Sequence, residues 1–315
     1  MCTLIGMMIQ KRWFANSALL IITFVWGATF TLTKGALDSL PVFGFLSARF
    51  VIATVGLIAL VLLTPSARKS FTLRTWGLGT VLGLFLFGAY ALQTVGLQYT
   101  TPSLAGFLTG LSVVLVPLLG VFLLKQKLRW RTWLGAGTAV VGLGLLCGPG
   151  LQQFALGDIY VLLCAVFIAL QMLFIEKYGN GTNPLALATV EIAVLTVACL
   201  VLELWTDPSP TWVWTTFHNP QVAFAVFICA IPGTALAYWG QNVFQQFTSS
   251  AQTAVIFSME PVFATLVAWM VLGEGLTPLT LLGSILIFTS MLMSDTNLQF
   301  NWTRALAQPF KIFFD

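Results

Sequence analysis

Apolar runs long enough to cross a lipid bilayer recur along almost the whole length of this 315-residue chain. A helix needs about 20 consecutive apolar residues to span the hydrocarbon core. Only 8% of the residues are charged and the mean hydropathy is +0.94, whereas roughly a quarter of the residues are charged in a soluble domain. The sequence therefore predicts an all-α membrane protein.

Charge clusters, prolines and glycines divide these apolar runs into separate candidate helices joined mostly by short loops. The longest loop, between Thr206 and Pro220, contains Trp212, Trp214 and His218, a composition typical of a segment at the membrane interface. Ten transmembrane helices are predicted, at 16–34, 42–63, 75–98, 102–124, 131–148, 157–177, 184–204, 221–246, 250–272 and 278–295.

The distribution of basic residues predicts the direction of these spans. Cytoplasmic loops of membrane proteins carry an excess of lysine and arginine. With the N-terminus inside, Lys34 is the only basic residue in a predicted outer segment, and Arg49 lies within a span. Residues 1–15 and 296–315 are then cytoplasmic tails, and the first apolar segment is retained rather than cleaved. The predicted inner segments hold Lys11, Arg12, Arg68, Lys69, Arg74, Lys125, Lys127, Arg129, Arg131, Lys177, Arg304 and Lys311.

An internal repeat is visible at a shift of 148 residues. Tyr90 and Gln93 recur as Tyr238 and Gln241, and the similarity continues through spans three to five and eight to ten. The repeats comprise residues 16–148 and 157–295, with five spans each. Because five is odd, the second repeat must enter the membrane from the opposite side. Inverted repeats are typical of secondary transporters, which bind substrate near mid-membrane between the two halves. We therefore expect two inverted five-helix repeats around a central cavity.

The sequence lacks the motifs of an enzyme or a cofactor-binding protein. It contains no Gly-rich phosphate loop, no HExxH and no nucleophile elbow. Its five cysteines have no CxxC spacing and its single histidine, His218, lies in a predicted loop. We therefore expect no enzymatic activity, cofactor, metal or nucleic-acid partner. The expected partners are a small-molecule substrate and the lipid bilayer.

Several short motifs, taken in order, resemble a known transporter family. Trp26-Gly-Ala-Thr-Phe, Arg49 and Phe107-Leu-Thr-Gly-Leu-Ser look like the first EamA repeat, and Ser258-Met-Glu260-Pro261 with Leu272-Gly-Glu274 looks like the second. The chain thus resembles bacterial ten-span EamA permeases of the drug/metabolite transporter superfamily over nearly its full length. It departs from them after span four, where Lys125-Gln-Lys-Leu128 replaces a Gly-Glu-Arg-Leu-like turn.

This resemblance implies a function as well as a fold. It implies an alternating-access transporter in the plasma membrane that exports a small organic metabolite such as an amino acid, or a drug. A lipid or amphiphile flippase and a non-transporting membrane scaffold are the alternative interpretations. No nucleotide-binding segment is apparent, so a proton gradient is the candidate energy source.

Glu260 is the candidate residue for proton coupling. It lies near the middle of span nine, where an ionisable side chain is costly, by roughly 3 kcal/mol. Pro261 follows it and leaves a carbonyl of the preceding turn without its usual donor. The carboxylate is predicted to bind a proton or a cationic substrate group; the alternative is a glutamate that only stabilises a kink. The equivalent position in the first repeat is Ser112.

Arg49 and Glu191 occupy matched positions, each about seven residues into spans two and seven. At about 1.5 Å per residue, each lies roughly 10 Å below its own surface, one outer and one inner. Direct contact between them is therefore not expected. Both are candidates for substrate binding, although the long side chain of Arg49 can also extend to the interface.

The repeated polar residues complete the predicted site. Tyr90 and Gln93 share one helix face, as do Tyr238 and Gln241, and Trp26 is a candidate aromatic wall. These polar groups need partners inside the bundle or water in a cavity. They either line a shared central chamber or form hydrogen bonds between helices. Kinks that act as hinges are predicted at Pro117, Pro232 and Pro261.

Overall fold

The computed structural model describes residues 2–100, 102–147, 156–207, 211–272 and 276–294, and all regular structure within these ranges is helical. The predicted spans and the observed helices agree closely; span two, predicted at 42–63, is the helix Val42–Leu63. In chain order the helices are α1 (Cys2–Leu37), α2 (Val42–Leu63), α3 (Pro65–Arg68), α4 (Leu73–Tyr99), α5 (Pro102–Gly110), α6 (Ser112–Leu124), α7 (Trp130–Cys147), α8 (Leu156–Tyr178), α9 (Pro184–Thr206), α10 (Thr211–His218), α11 (Pro220–Ala230), α12 (Ala237–Phe244), α13 (Ser250–Phe257), α14 (Glu260–Leu272) and α15 (Pro278–Ser294).

Eight helical segments in the described part of the chain are long and apolar enough to cross a membrane, by length and composition. Two further helices, α7 and α15, have 18 and 17 residues. Large apolar side chains such as Leu63, Val197 and Trp205 are exposed on the outside of the bundle. A soluble protein rarely exposes so much contiguous apolar surface, so this surface is suited to contact with lipid.

Three of the predicted spans are interrupted rather than continuous. Span four is divided into α5 and α6 at Leu111, and span nine is divided into α13 and α14 at Ser258 and Met259. Leu111 and Met259 are 148 residues apart, so the two breaks are at equivalent positions of the repeat. Span eight contains a π-helical turn, Ile231–Leu236, between α11 and α12. Such turns frequently occur at functional sites.

The ends of the chain differ from the sequence-based prediction. The first span was expected to begin at residue 16, but α1 begins at Cys2 and includes most of the predicted N-terminal tail. Its apolar part is Trp13–Leu37. The predicted tail 296–315, the repeat ends at 148 and 295, and Glu274 lie outside the described residues.

Close approaches at glycines fix how the helices cross. A Cβ atom added to Gly27 of α1 would lie 2.7 Å from the carbonyl oxygen of Glu260 in α14, and one on Gly83 of α4 would lie 2.5 Å from the carbonyl oxygen of Glu191 in α9. Helix α7 packs along α15 in the same way, through Gly142 and Gly283. Small residues of this kind permit close backbone contact between membrane helices.

The loop expected at the membrane interface forms the short helix α10. Its Trp214 and Phe217 side chains are exposed, whereas Trp212 packs against the core. The ring of His218 stacks on Trp214, and its Nδ1 atom lies 2.9 Å from the Trp214 carbonyl oxygen. Exposed aromatic rings at the end of a span are typical of the interface region.

The turn after α6 places Lys125 in the left-handed region, with a φ of 53°. This left-handed conformation is unfavourable for a residue with a Cβ atom but not for glycine. Replacing Lys125 by glycine is therefore expected to stabilise the protein by about 1 kcal/mol and raise Tm by about 2–4 °C. The measurement is thermal unfolding of the purified protein in detergent. The control is Lys127→Gly in the same turn, where φ is not positive; an equal rise in both variants would contradict the explanation.

Candidate functional site

A cavity lies at the centre of the bundle, lined by helices from both repeats. From the first repeat, the predicted site residues Trp26, Arg49, Tyr90, Gln93 and Ser112 line it. From the second repeat, Tyr238, Gln241 and Glu260 line it. Glu191, the ninth predicted residue, does not.

The cavity is small in this conformation. Its volume is about 60 Å³, whereas a single water molecule needs about 10–15 Å³. A few waters therefore fit, but a metabolite requires the surrounding helices to move apart. The lining includes the last turns of α1 and α4, at Thr33 and Leu97, so the cavity is displaced towards that end of the bundle.

Arg49 is buried on α2 and holds the π-helical turn of span eight. Its Nε atom donates to Thr234 Oγ1 at 2.9 Å, and one terminal nitrogen donates to the Gly233 carbonyl and to the Tyr90 hydroxyl, both at 3.2 Å. Its guanidinium also lies 4.7 Å from the centre of the Tyr90 ring. Among the described residues, no carboxylate lies within ion-pair distance of it. Arg49 is thus a cation that faces the cavity with only neutral partners.

The two copies of the repeated motif meet at the cavity. The Tyr238 hydroxyl donates to the Tyr90 hydroxyl at 3.0 Å, although the residues are 148 positions apart. The centre of the Trp26 ring lies 5.5 Å from that of Tyr238 and 4.9 Å from that of Phe257. The Trp26 indole nitrogen donates to the Gly233 carbonyl at 2.9 Å. These four rings give the cavity an aromatic wall with a polar edge.

Glu260 faces the cavity from the first residue of α14. A negative charge at this position is favoured by the helix dipole. No hydrogen-bond donor among the described residues contacts its carboxylate, but it interacts electrostatically with Arg49. Ser112 is its counterpart at the first residue of α6 and also lines the cavity. Among the described residues, the cavity lining therefore contains one acidic side chain, Glu260, and one basic side chain, Arg49, which are not bonded to each other.

The glutamines serve as both cavity wall and interhelical contact. Gln93 donates to Thr109 Oγ1 at 3.1 Å, and Gln241 donates to Gln171 Oε1 at 3.1 Å and to Gln245 Oε1 at 3.0 Å. The two alternatives that the sequence left open are therefore not exclusive. Gln246, which is the counterpart of Gln98 at the same shift of 148 residues, donates to the Asn242 backbone carbonyl instead.

Glu191 lies behind the cavity wall rather than in it. It is wholly buried on α9 and accepts hydrogen bonds from Gln171 Nε2 at 2.8 Å and Asn242 Nδ2 at 3.1 Å. Gln171 separates it from the cavity. As expected from their positions in the two repeats, Glu191 and Arg49 bond to different partners.

The predicted hinge prolines lie at or near helix irregularities. Pro232 is in the π-helical turn, and Pro261 follows the break between α13 and α14. Pro117 is inside α6, six residues after the break at Leu111 that precedes that helix. None of the three lines the cavity.

Sequence reasoning missed several polar residues of the site. Thr234 gives no signal in the sequence, because a threonine in a membrane helix commonly bonds to its own backbone. In the structure its hydroxyl also accepts a hydrogen bond from Arg49. Gln171 is an isolated glutamine in an apolar run, the same signal that identified Gln93 and Gln241. Thr29 and Thr33 line the cavity, at three and seven positions after Trp26, a spacing that places them on the same helix face.

The sequence of the chain is similar to those of known transporters over most of its length. A model of the EamA-like transporter family matches the chain twice, over residues 13–148 and 155–294. An uncharacterized transporter of Archaeoglobus fulgidus is 34% identical over 286 residues, which cover 90% of this chain and 86% of that protein.

More distant proteins are similar over most of the chain. An S-adenosylmethionine/S-adenosylhomocysteine transporter of Chlamydia trachomatis is 22% identical over 270 residues, or 81% of each chain. One solved crystal structure has a TM-score of 0.74 at 18% identity and covers 90% of this chain and 97% of its own. At this level of identity, the crystal structure establishes similarity of fold alone.

Proposed function

The chain belongs to the EamA-like transporter family, and on this basis we propose that it is a secondary transporter that works by alternating access. Its proposed activity is the export of a small organic metabolite, such as an amino acid, or of a drug across the plasma membrane. The observation that carries the proposal is the polar cavity between the repeats, which is lined by both Arg49 and Glu260. A membrane scaffold has no use for such a cavity.

The proposed topology has ten spans in two inverted repeats, with both termini in the cytoplasm. Eight segments meet the length and hydropathy expected of a span, and α7 and α15 supply the fifth span of each repeat. The two separate matches to one family model support the duplication. The hydrogen bond between Tyr90 and Tyr238 supports a pseudo-symmetry axis that passes between them. In this topology the cavity is displaced towards the outside.

The charges of the cavity favour a substrate that carries both a carboxylate and a cationic group. Arg49 is suited to the carboxylate because its guanidinium has no acidic partner within the described residues, and Glu260 is suited to the cation or to a coupling proton. The rings of Trp26, Tyr90 and Tyr238 can contact an apolar or aromatic portion. S-adenosylmethionine, named for one relative, has all three features and is a suitable first probe.

Alternating access requires the two repeats to change their relative positions. The breaks at Leu111 and Met259 divide the two equivalent spans that carry Ser112 and Glu260. The π-helical turn at Pro232 interrupts the span that bonds to Arg49. Irregular backbone at these points allows a span to bend without loss of a long run of hydrogen bonds.

The test is substrate flux in proteoliposomes, after comparison of metabolites in cells with and without the protein has identified a substrate. A difference of one pH unit can support about tenfold accumulation if one proton moves per substrate. We expect the wild type to accumulate substrate when this gradient is applied. Glu260→Gln is expected to equilibrate substrate without accumulating it, because the neutral amide cannot exchange a proton.

Ser112→Ala is the matched control, because Ser112 holds the equivalent position in the other repeat and also lines the cavity. It is expected to keep the dependence on the pH gradient. An unchanged gradient dependence in Glu260→Gln would exclude Glu260 as the coupling residue. Absence of any substrate flux from the wild type would exclude the transport function itself.

A further inference from the structure

A buried polar cluster lies behind the cavity wall, centred on Glu191. The Glu191 side chain is wholly buried, and each of its oxygens accepts one hydrogen bond from an amide, Gln171 Nε2 at 2.8 Å and Asn242 Nδ2 at 3.1 Å. Gln241 and Gln245 extend the cluster, and Gln245 Nε2 donates to the Met172 carbonyl at 2.7 Å. Neutral donors do not balance a full negative charge in a non-polar interior.

The helices that pack against α9 supply no positive charge to Glu191. Helix α4 presents the backbones of Gly79 and Gly83 at this level. Arg49 of α2 is bonded to Thr234, Gly233 and Tyr90 instead. The titratable and charged groups on the helices that pack against α9 or bond to Glu191, which are α2, α3, α4, α8 and α12, are Arg49, Arg68, Arg74, Tyr90, Tyr99, Asp158, Tyr160, Cys164, Glu176, Lys177, Tyr178 and Tyr238.

Several of the other groups form hydrogen bonds away from Glu191. Arg74 donates to the carbonyls of Tyr178 and Asn180 at the end of the bundle. Glu176 accepts hydrogen bonds from Gln126 and Ser250. Tyr238 bonds to Tyr90 in the cavity. Within the described residues, Glu191 therefore lacks a cationic partner.

Two amide oxygens of the same cluster also lack partners. Gln241 Oε1 and Asn242 Oδ1 are buried without a hydrogen-bond donor, and both residues are only 1% exposed. Asn242 is in direct contact with the Glu191 carboxylate, and Gln241 reaches it through Gln171. Buried acceptors in native proteins are nearly always satisfied by protein, water or an ion. The cluster thus combines an unbalanced carboxylate with two unused oxygen ligands.

We propose that Glu191 and the amides of Gln171, Gln241 and Asn242 form a binding site for a monovalent cation, either H⁺ or Na⁺. A carboxylate and amide oxygens are the hard ligands that bind such cations, and polar groups buried at mid-membrane bind them in other transporters. If the ion is Na⁺, it is bound by Glu191 and the two unused oxygens. If it is H⁺, it resides on Glu191, and rotation of the Asn242 amide turns Oδ1 towards the new O–H group.

The site is connected to the substrate cavity by a side chain that belongs to both. Gln171 lines the cavity and donates to Glu191, and Gln241 lines the cavity and donates to Gln171. Binding of a cation at Glu191 therefore changes which hydrogen bonds these glutamines offer to the cavity. A role in coupling rests on the proposed transport function, but binding of the cation itself does not.

The experiment measures thermal unfolding of the purified full-length protein in detergent, without substrate. Wild type and Glu191→Gln are compared in sodium chloride and in choline chloride of equal concentration. If Na⁺ is bound, it raises Tm of the wild type by about 2–4 °C and leaves Glu191→Gln unchanged. If H⁺ is bound, Na⁺ has no effect, but the wild type loses Tm relative to Glu191→Gln as the pH is raised above about 4.3, where an unfolded glutamate releases its proton.

The sign of the proton effect follows from linkage. The folded wild type holds a proton that the unfolded chain has released, so raising the pH favours unfolding. Glutamine has the shape of the protonated acid and cannot release a proton, so that variant is insensitive at this position. Its isosteric side chain can still accept from Gln171 through its oxygen, and its NH2 group can donate to Asn242 Oδ1 once the Asn242 amide rotates, which protects folding.

Glu176→Gln is the matched control. Glu176 is a second carboxylate on α8, the helix that carries Gln171, and it accepts hydrogen bonds from Gln126 and Ser250 instead. It is expected to respond to Na⁺ and to pH as the wild type does. The proposal is overturned if wild type and Glu191→Gln respond equally to both, or if Glu176→Gln abolishes the response. Because no transport is measured, failure here leaves the proposed function intact, and failed transport leaves this site intact.

Discussion

Replacing Arg49 by alanine is expected to reduce substrate flux by at least about 100-fold. Hydrogen bonds that involve a charged group contribute about 1.5–3 kcal/mol each, and about 2.7 kcal/mol corresponds to 100-fold. Within the described part of the chain, the variant removes the only arginine or lysine that lines the cavity. It also weakens the contacts that hold the π-helical turn, since Thr234 loses the Arg49 donor and the Gly233 carbonyl keeps only that of Trp26. Flux in proteoliposomes is the measurement.

Two further variants separate the charge of Arg49 from its geometry. Arg49→Lys keeps the charge but cannot donate to Thr234, Gly233 and Tyr90 at once, so flux is expected to fall by about 10-fold or more. Tyr90→Phe keeps the ring and removes one acceptor, so the loss is expected to be smaller. Normal flux in Arg49→Ala, with Tm unchanged, would exclude Arg49 from substrate binding.

Replacing Gly142 by leucine is expected to prevent the normal packing of α7 against α15. The first side-chain carbon would lie 2.8 Å from the Gly283 carbonyl oxygen and 3.0 Å from the Ile287 backbone nitrogen. Backbone atoms cannot move aside as a flexible side chain can, so the helices must separate. Overpacking costs about 1–3 kcal/mol or more. We expect Tm to fall by about 2–12 °C and the yield of folded protein to drop sharply.

Gly144 provides a control in the same helix. Nothing lies within 4 Å of a Cβ atom added at Gly144, and leucine has a higher helix propensity than glycine. Gly144→Leu is therefore expected to leave Tm unchanged or slightly raised. A similar fall in both variants would show that leucine perturbs α7 by some means other than contact with α15.

The repeated tyrosines explain why so apolar a chain contains the same polar motif twice. Tyr90 and Tyr238 are far apart in sequence but share a hydrogen bond at the centre of the bundle. Gln93 and Gln241 line the cavity from the two repeats while bonding to neighbouring helices. Each motif therefore forms hydrogen bonds inside the protein and also forms part of the cavity wall.

Much of the helical architecture follows from the sequence alone. The observed ends of α2, α8 and α9 fall within two residues of the predicted ones. This agreement has a local cause, because the thickness of the bilayer selects contiguous apolar runs of about 20 residues. The breaks at Leu111 and Met259 were not predicted, since each break is only a turn long and is not marked by a proline at its own position.

The composition of the cavity was only partly accessible from the sequence. Eight of nine predicted site residues line it, because a polar side chain in a membrane span must face the protein interior. That rule does not distinguish a residue that lines the cavity from one that is buried between helices. For this reason the sequence predicts Glu191 as a site residue together with the other eight. Only the tertiary structure places it behind Gln171.

The sequence alone predicts which segments are helical, that they occur as a repeat, and which polar residues avoid lipid. These properties depend on hydropathy and on spacing along one helix, both of which are local. The hydrogen bonds from Arg49 to Thr234 and from Tyr238 to Tyr90, and the extent of the cavity, are visible only in the folded protein. Those contacts depend on the rotation of each helix about its axis and on where helices cross. Packing between distant residues fixes both, and no single segment encodes them.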